Sequence, residues 1–252
     1  MGLKESGLRA SLRNVSTGVI AIPDSEANQK LLHRWLLDDV NGNVDDSEGN
    51  ADGTNNGVVS VSGSFVGGSA GAGDGSSAHI DTSPLGTFGS NMSSNFAVAF
   101  SIKADNITSE NRLLGVGNSG DDTFLFIQTG VKGPAADGAI EFAIRDASDN
   151  EIAVFTDSTF DDNREFRVVC NKTGNAASDM EVYVNQNIEQ TTVESGESFS
   201  NPSDFDVNFF LFAVNNGGSL LQPANVILDD ICLFNDSLTQ AEIESYQNPW
   251  EN

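Results

Sequence analysis

The sequence predicts an all-β fold: an antiparallel sandwich with one short C-terminal helix and an N-terminal arm. Two observations predict it. Short apolar runs such as "NFAVAFSIKA", "DTFLFIQT", "AIEFAIRD", "EIAVFT", "FRVVCN", "MEVYVN", "VNFFLFAV" and "VILDDICLF" follow one another, many with period-two alternation, and Gly, Asn and Asp turns separate them. Beyond the first thirty residues only "SLTQAEIESYQ" reads as a helix. Strands that succeed one another without crossover helices pair as antiparallel neighbours rather than as βαβ units.

The elements justify themselves in order. Residues 1–30 hold Lys4, Arg9, Arg13 and Lys30, while basic residues are thin afterwards. Leu3, Leu8 and Leu12 suggest a short helix and "VIAIP" a strand ending at Pro23. This segment reads as an arm, either frayed or docked on another protein. The β domain then spans residues 31–252, opening with "LLHRWLL" around Trp35. A chain of 252 residues suits a single large sandwich, and its sixteen Phe supply a core.

The Gly/Ser-rich stretch "SVSGSFVGGSAGAGDGSS", Ser60 to Ser77, resembles a linker in composition alone. Its Phe65, Ala70 and Ala72, followed by "AHIDT", read instead as glycine-eased strands with a turn at Asp74-Gly75. In "SLTQAEIESYQ", Thr239 and Glu242 have capping-box spacing, Ser237 is a second cap, and Leu238, Ile243 and Tyr246 give an apolar side.

Charge excludes several functions. Asp and Glu number 37 against 12 Lys and Arg, a net charge of −25 spread along the chain. Such self-repulsion is relieved when molar salt shortens the Debye length to roughly 3 Å, so the composition points to a halophilic setting. A nucleic-acid partner needs a basic footprint, and none is visible beyond the N-terminus. No apolar run is long enough to span a membrane. "MGLKESGLRASLRN" lacks the apolar centre of a secretory signal, its fit to the myristoylation pattern is weak, and sequons such as those at Asn14, Asn106 and Asn171 are expected by chance in an Asn-rich chain. Cys170 and Cys232 lie in apolar runs and read as buried thiols, with one inter-strand disulfide as the alternative.

Read in sequence, the pieces resemble the laminin G-like domains of the concanavalin A-like jelly-roll superfamily, from about Leu31 to Tyr246. "LLHRWLLDDVNGNVDDSEGNADGT" is similar to that family's opening strand and turn, "GSFVGGSAGAGDGSSAHIDTSPL" to its second block, "NFAVAFSIKADN" to a sheet strand, and "VILDDICLFNDSLTQAEIESY" to its closing strand and helix. The chain departs from the pattern at Ser101 and Ile102, where the family usually carries Trp, and "FRVVC" lacks a preceding His pair. The resemblance implies a jelly-roll sandwich and a structural calcium ion. Carried over, the ion would be held by Asp46 and Asp229, with Gly49 and Asn50 as further oxygen donors, a donor set suited to a hard dication. The alternative is that Asp229 and Asp230 alternate across an edge strand, one to water and one capping a loop.

No catalytic constellation stands out. A glycoside hydrolase of this superfamily would carry alternating carboxylates on one strand, and no Glu-x-Asp-x-x-Glu run occurs. His33 and His79 lie in strand-like runs and read as structural, and runs such as "GVGNSG" are turns that open no helix. The expectation is a non-enzymatic binding or structural module whose contact loops include Gly117 to Asp122, "GPAADG" and "VNNGGSL". The acidity, the basic arm and the missing signal together suggest a virion surface protein of a halophilic, tailed haloarchaeal virus. Residues 1–30 would then dock on other virion proteins, the domain would meet a host-surface glycan or glycoprotein, and particle symmetry would make it a homo-oligomer. A cellular carbohydrate-binding or adhesion module of a halophile is the alternative.

Overall fold

The computed structural model describes residues 26–62, 68–85, 95–105, 107–117, 124–130, 137–146, 148, 150–197, 208–216 and 219–247. The helix and strand expected in residues 1–25, residues 118–122 and 133–136 of two expected contact loops, and residues 217–218 of the third lie outside them. The chain runs α1 (Glu26–Lys30), β1 (Leu31–Trp35), β2 (Asn43–Val44), β3 (Gly53–Asn56), β4 (Val59–Ser62), β5 (Ser69–Ala72) and β6 (His79–Pro84). It continues through β7 (Phe96–Asp105), β8 (Asn111–Gly117), β9 (Phe124–Thr129), β10 (Ile140–Arg145), β11 (Glu151–Thr156) and β12 (Asp162–Lys172). β13 (Met180–Val184), β14 (Asn187–Ile188), β15 (Thr191–Gly196), β16 (Asn208–Leu211), β17 (Val214–Asn216), β18 (Ser219–Leu221), β19 (Ile227–Phe234) and α2 (Gln240–Gln247) complete it.

These strands form the expected antiparallel jelly-roll sandwich. One sheet has the order β14-β13-β12-β7-β19-β5-β4, with β1 also paired to β19; the other runs β15-β11-β10-β9-β8-β16-β6-β3-β2. Period-two alternation decides which side chains meet between them. From β7, Phe96, Val98, Phe100 and Ile102 enter the inter-sheet core, and Leu125, Ile127, Ile140, Phe142 and Ile144 answer from β9 and β10. Trp35 is fully buried there, stacks on Phe209, and satisfies its indole N–H on the Ala51 carbonyl at 2.9 Å.

The outer face of the first sheet carries Ala97, Ala99, Val169, Cys232 and Phe234, covered by Leu238 and Ile243 near and on α2 and by Ala27 of α1. The capping box forms as expected: the Thr239 N–H donates to Glu242 Oε2 at 2.7 Å, and the Glu242 N–H donates to Thr239 Oγ1 at 3.3 Å. Lys30 Nζ pairs with the same Glu242 oxygen at 2.9 Å. The first thirty residues are therefore not all arm. Residues 26–30 belong to the sandwich, because Ala27 is buried and Lys30 is bonded at both its side chain and its carbonyl, which accepts from Asn235 N.

Within the Gly/Ser-rich stretch, residues 60–62 and 69–72 are strand as expected, with Val59 opposite Ala72 and β5 passing its other edge to β19, while Phe65 lies outside the described residues. Glycine is required at Gly73, since a Cβ there would stand 2.2 Å from the Ala224 carbonyl oxygen. Both cysteines are free and buried. Cys170 faces the inter-sheet core and Cys232 the opposite, helix-covered face, so the disulfide alternative fails on geometry.

Candidate functional site

Asp46 stands in the turn after β2. Its carboxylate accepts five N–H donors: Arg34 N at 2.9 Å, Glu48 N at 3.3 Å and Gly49 N at 3.0 Å on Oδ1, with Ala51 N at 3.0 Å and His33 Nδ1 at 2.6 Å on Oδ2. Burial would raise its pKa, but the bonds from His33 and the backbone outweigh that and hold it down to about 2. The turn is built around this anion. Gly49 must be glycine here, because a Cβ would lie 2.4 Å from both Asp46 Oδ2 and His33 Nδ1.

Asp229 and Asp230 occupy β19, which is central in its sheet rather than at an edge, so the edge-strand alternative does not hold. A bulge admits them. Pairing with β7 shifts register between Asp229 and Cys232, and Asp230 has a φ of 45°, the left-handed region that Asp tolerates better than most residues. Leu228, Ile231 and Leu233 face the inter-sheet core, and the extra residue keeps both carboxyls off it. Asp230 lies between two guanidinium groups, receiving Arg34 Nε at 2.7 Å and Arg167 Nη2 at 3.0 Å. Burial opposes its ionisation, but Arg167 and Arg34 hold its pKa below the ordinary carboxylate value. Asp229 has no such partner. Burial and the charge of Asp230 push its carboxyl up to about 9, so it is protonated at neutral pH.

The residues that the resemblance would place at calcium do not come together as ligands. Arg34 serves Asp46 with its backbone N–H and Asp230 with its side chain. A calcium ion needs free carboxylate lone pairs. Those of Asp46 are taken by N–H donors, Asn50 is exposed, and Gly49 contributes an N–H. Among the described residues no group of three or more His, Cys, Asp or Glu is arranged to hold a metal ion. Asp46, Gly49, Asn50 and Asp229 as held here do not fit calcium.

A second polar array crosses the outer face of the other sheet. Register places Arg112, Gln128 and Glu141 in one row and Arg145 beside Glu151 in another. Gln128 Nε2 donates to Glu141, Arg145 Nη2 to Glu151 Oε2 at 2.6 Å, and the Arg112 guanidinium lies 3.8 Å from the Phe126 ring centre. The β17–β18 hairpin roofs part of this face. Val214 packs with Phe126, Ala143 and Ala153, and a Cβ on Gly115 would meet Val214 at 2.6 Å. Gln128 is fully buried and Glu141 nearly so, so this row of the array is not a surface that a ligand meets.

Among the described residues an open feature lies at the rim. A cavity of about 270 Å³ is lined by Lys103 and Asp105 at the end of β7, Asn163 at the start of β12, and Asn225 just before β19, over Ala72, Ala104 and neighbouring apolar residues. Asn163, with a φ of 62°, sits in the bulge where β12 leaves register with β7. Gly73 lets the segment at Ala224 approach closely, next to Asn225 at the rim. None of the four polar side chains is hydrogen-bonded or ion-paired to another described residue. Sequence reading missed this site, since its polar residues come from two strands and the segment before a third and belong to no motif. The one signal was the polar end "KAD" on an otherwise apolar strand.

His33 and His79 are structural as expected, the first bonded to Asp46 and stacked on Trp35, the second bonded to the Ser77 carbonyl and stacked on Phe210. A family model described as the concanavalin A-like lectin/glucanases superfamily matches residues 74–244. No protein with a curated description matches the chain by sequence. Among solved structures, the chain is similar to the binding domain of Paraclostridial Mosquitocidal Protein 1, at 15% identity and a TM-score of 0.67, over 90% of this chain and 53% of that one. The receptor binding domain of botulinum neurotoxin C/D mosaic serotype gives 15% identity and 0.63, over 88% and 52%. Domain 4 of AbnA, a GH43 extracellular arabinanase from Geobacillus stearothermophilus, in complex with arabinotriose, gives 16% and 0.61, over 87% and 98%. The chain thus spans about half the length of the two toxin domains and nearly all of the arabinanase domain.

Proposed function

We propose, from the premise that the chain belongs to the concanavalin A-like lectin/glucanases superfamily, that it is a non-enzymatic binding module that contacts a glycan through its rim. The observation that carries this reading is the open cavity, which offers hydrogen-bond donors and acceptors with no internal partner beside a small apolar floor. That mixture suits polyhydroxylated ligands. The similar folds support it: two are binding domains of toxins and the third is in complex with arabinotriose. Three interior carboxylates are already committed, Asp46 to N–H donors, Asp230 to two arginines, and Glu151 to Arg145.

We further propose that the module is displayed on the surface of a halophilic virus particle, with the basic N-terminal segment docked on other virion proteins and copies related by symmetry. The net charge of −25 supports a molar-salt setting, and Lys4, Arg9 and Arg13 set the first residues apart from the acidic domain. The test is antibody labelling, in molar salt, of particles and of uninfected cells. Label on particles, together with retention of host envelope glycan by the purified chain, is the expected result. Label on uninfected cells alone would favour the adhesion module, and no retention of glycan would overturn the binding role.

A further inference from the structure

Resting on the glycan-binding reading, the geometry points to a single, neutral sugar ring as the unit the rim cavity holds. Size is the first argument. Pockets for drug-sized ligands run from about 300 to 1,000 Å³, and this cavity, at about 270 Å³, falls below that range. It admits one ring with its neighbours left outside.

The lining sets the charge. Lys103 brings one ammonium and Asp105 one carboxylate, so the pair is balanced, and Asn163 and Asn225 each add an amide that can both donate and accept. Hydroxyl groups also do both, and a ring of them can satisfy all four side chains at once. An acidic unit would gain Lys103 but would meet Asp105 within the same small cavity. Salt screens charges that lie a Debye length apart and does little for two groups in contact. A net charge of −25 adds to the penalty at lower salt. The apolar lining residues Ala72, Ala104 and Val226 suit contact with the C–H groups of a ring.

The experiment is amide NMR of the full chain in molar potassium chloride, titrated separately with L-arabinose, D-galactose, D-glucose and D-glucuronate. At least one neutral sugar is expected to give saturable shifts at Gly73, Ala104, Asn163 and Asn225, weakened tenfold or more in Asn225→Ala and in Lys103→Met. Folding of each variant is checked by its unfolding midpoint, and the two substitutions guard against loss of one to misfolding. The inference is overturned if no neutral sugar shifts these amides, if the shifts survive both substitutions, or if glucuronate binds more tightly than every neutral sugar. Retention of envelope glycan without shifts at the cavity would overturn this inference and leave the binding role standing. Absence of both would remove the role itself.

Discussion

Arg34 and Asp230 meet across β1 and β19 at 2.7 Å, both almost wholly removed from water, and Arg167 closes the far side of the same carboxylate at 3.0 Å. Breaking a buried pair strands a charge at a cost of about 3–5 kcal/mol. Asp230→Asn keeps the left-handed backbone tolerable while deleting the charge, so it is expected to lower the unfolding free energy by about that amount. Denaturant midpoints in molar salt measure it, and a loss under about 1 kcal/mol would show that the pair is not structural.

Asp229 predicts an unusual pH dependence. Its carboxyl is pushed up to about 9 by burial, then by Asp230, from an ordinary value of 3.8. The unfolded chain sheds this proton above about pH 4, and the folded one keeps it until about pH 9. Over that window the unfolded state binds fewer protons, so stability falls as pH rises. Asp229→Asn removes the penalty and is expected to gain on the wild type as pH rises from 4 to 8, on the order of a few kcal/mol at the upper end. A constant difference across that range would contradict the assignment.

Asp46 works in the opposite sense. With its pKa held down to about 2, its contribution is complete above an ordinary carboxylate pKa and lost as pH falls toward 2. Because its lone pairs are spent on N–H donors, a chelator is expected to leave the thermal midpoint unchanged in molar potassium chloride. A midpoint that drops on chelation and returns with calcium would restore the calcium reading of Asp46, Gly49, Asn50 and Asp229.

Gly49→Ala tests the same cradle sterically. Its Cβ would fall 2.4 Å from Asp46 Oδ2 and His33 Nδ1, so the turn must open. Overpacking of this kind costs about 1–3 kcal/mol. Equilibrium unfolding of the variant reads this directly, and an unchanged midpoint would mean that the turn yields freely.

Cys170 and Cys232 lie on opposite faces of one sheet, and burial raises both thiols well above their ordinary pKa. Neither is expected to react with a thiol reagent in the native state, and both should react on unfolding. Rapid native labelling, or a mass two protons light, would contradict this arrangement.

Much of the fold was legible because period-two alternation and turn residues are local signals. The strands "NFAVAFSIKA" and "AIEFAIRD" sit in the sheets with their alternate residues in the core, and the Thr239–Glu242 box caps α2. Local signals say nothing of bulges. The register shift at Asp230 put two carboxyls on one side of a central strand, where strict alternation would have parted them. The resemblance marked Asp46 as special, and it is, but as the acceptor for a turn. That distinction depends on where N–H groups point, which spacing does not encode. Lys103, Asp105, Asn163 and Asn225 are brought together only by tertiary pairing of β7, β12 and the approach to β19, so the polar end "KAD" alone could not have exposed the site.

The measurement that tests the account most directly is the affinity of the wild-type chain and of Asn225→Ala for the same glycan fragment, released from the host envelope and titrated in molar salt. Losing a ligand hydrogen bond that leaves its partner unsatisfied costs about 1–3 kcal/mol, so the variant is expected to bind about tenfold more weakly or worse, at an unchanged unfolding midpoint. Equal affinity for the two chains would contradict a glycan site at the rim.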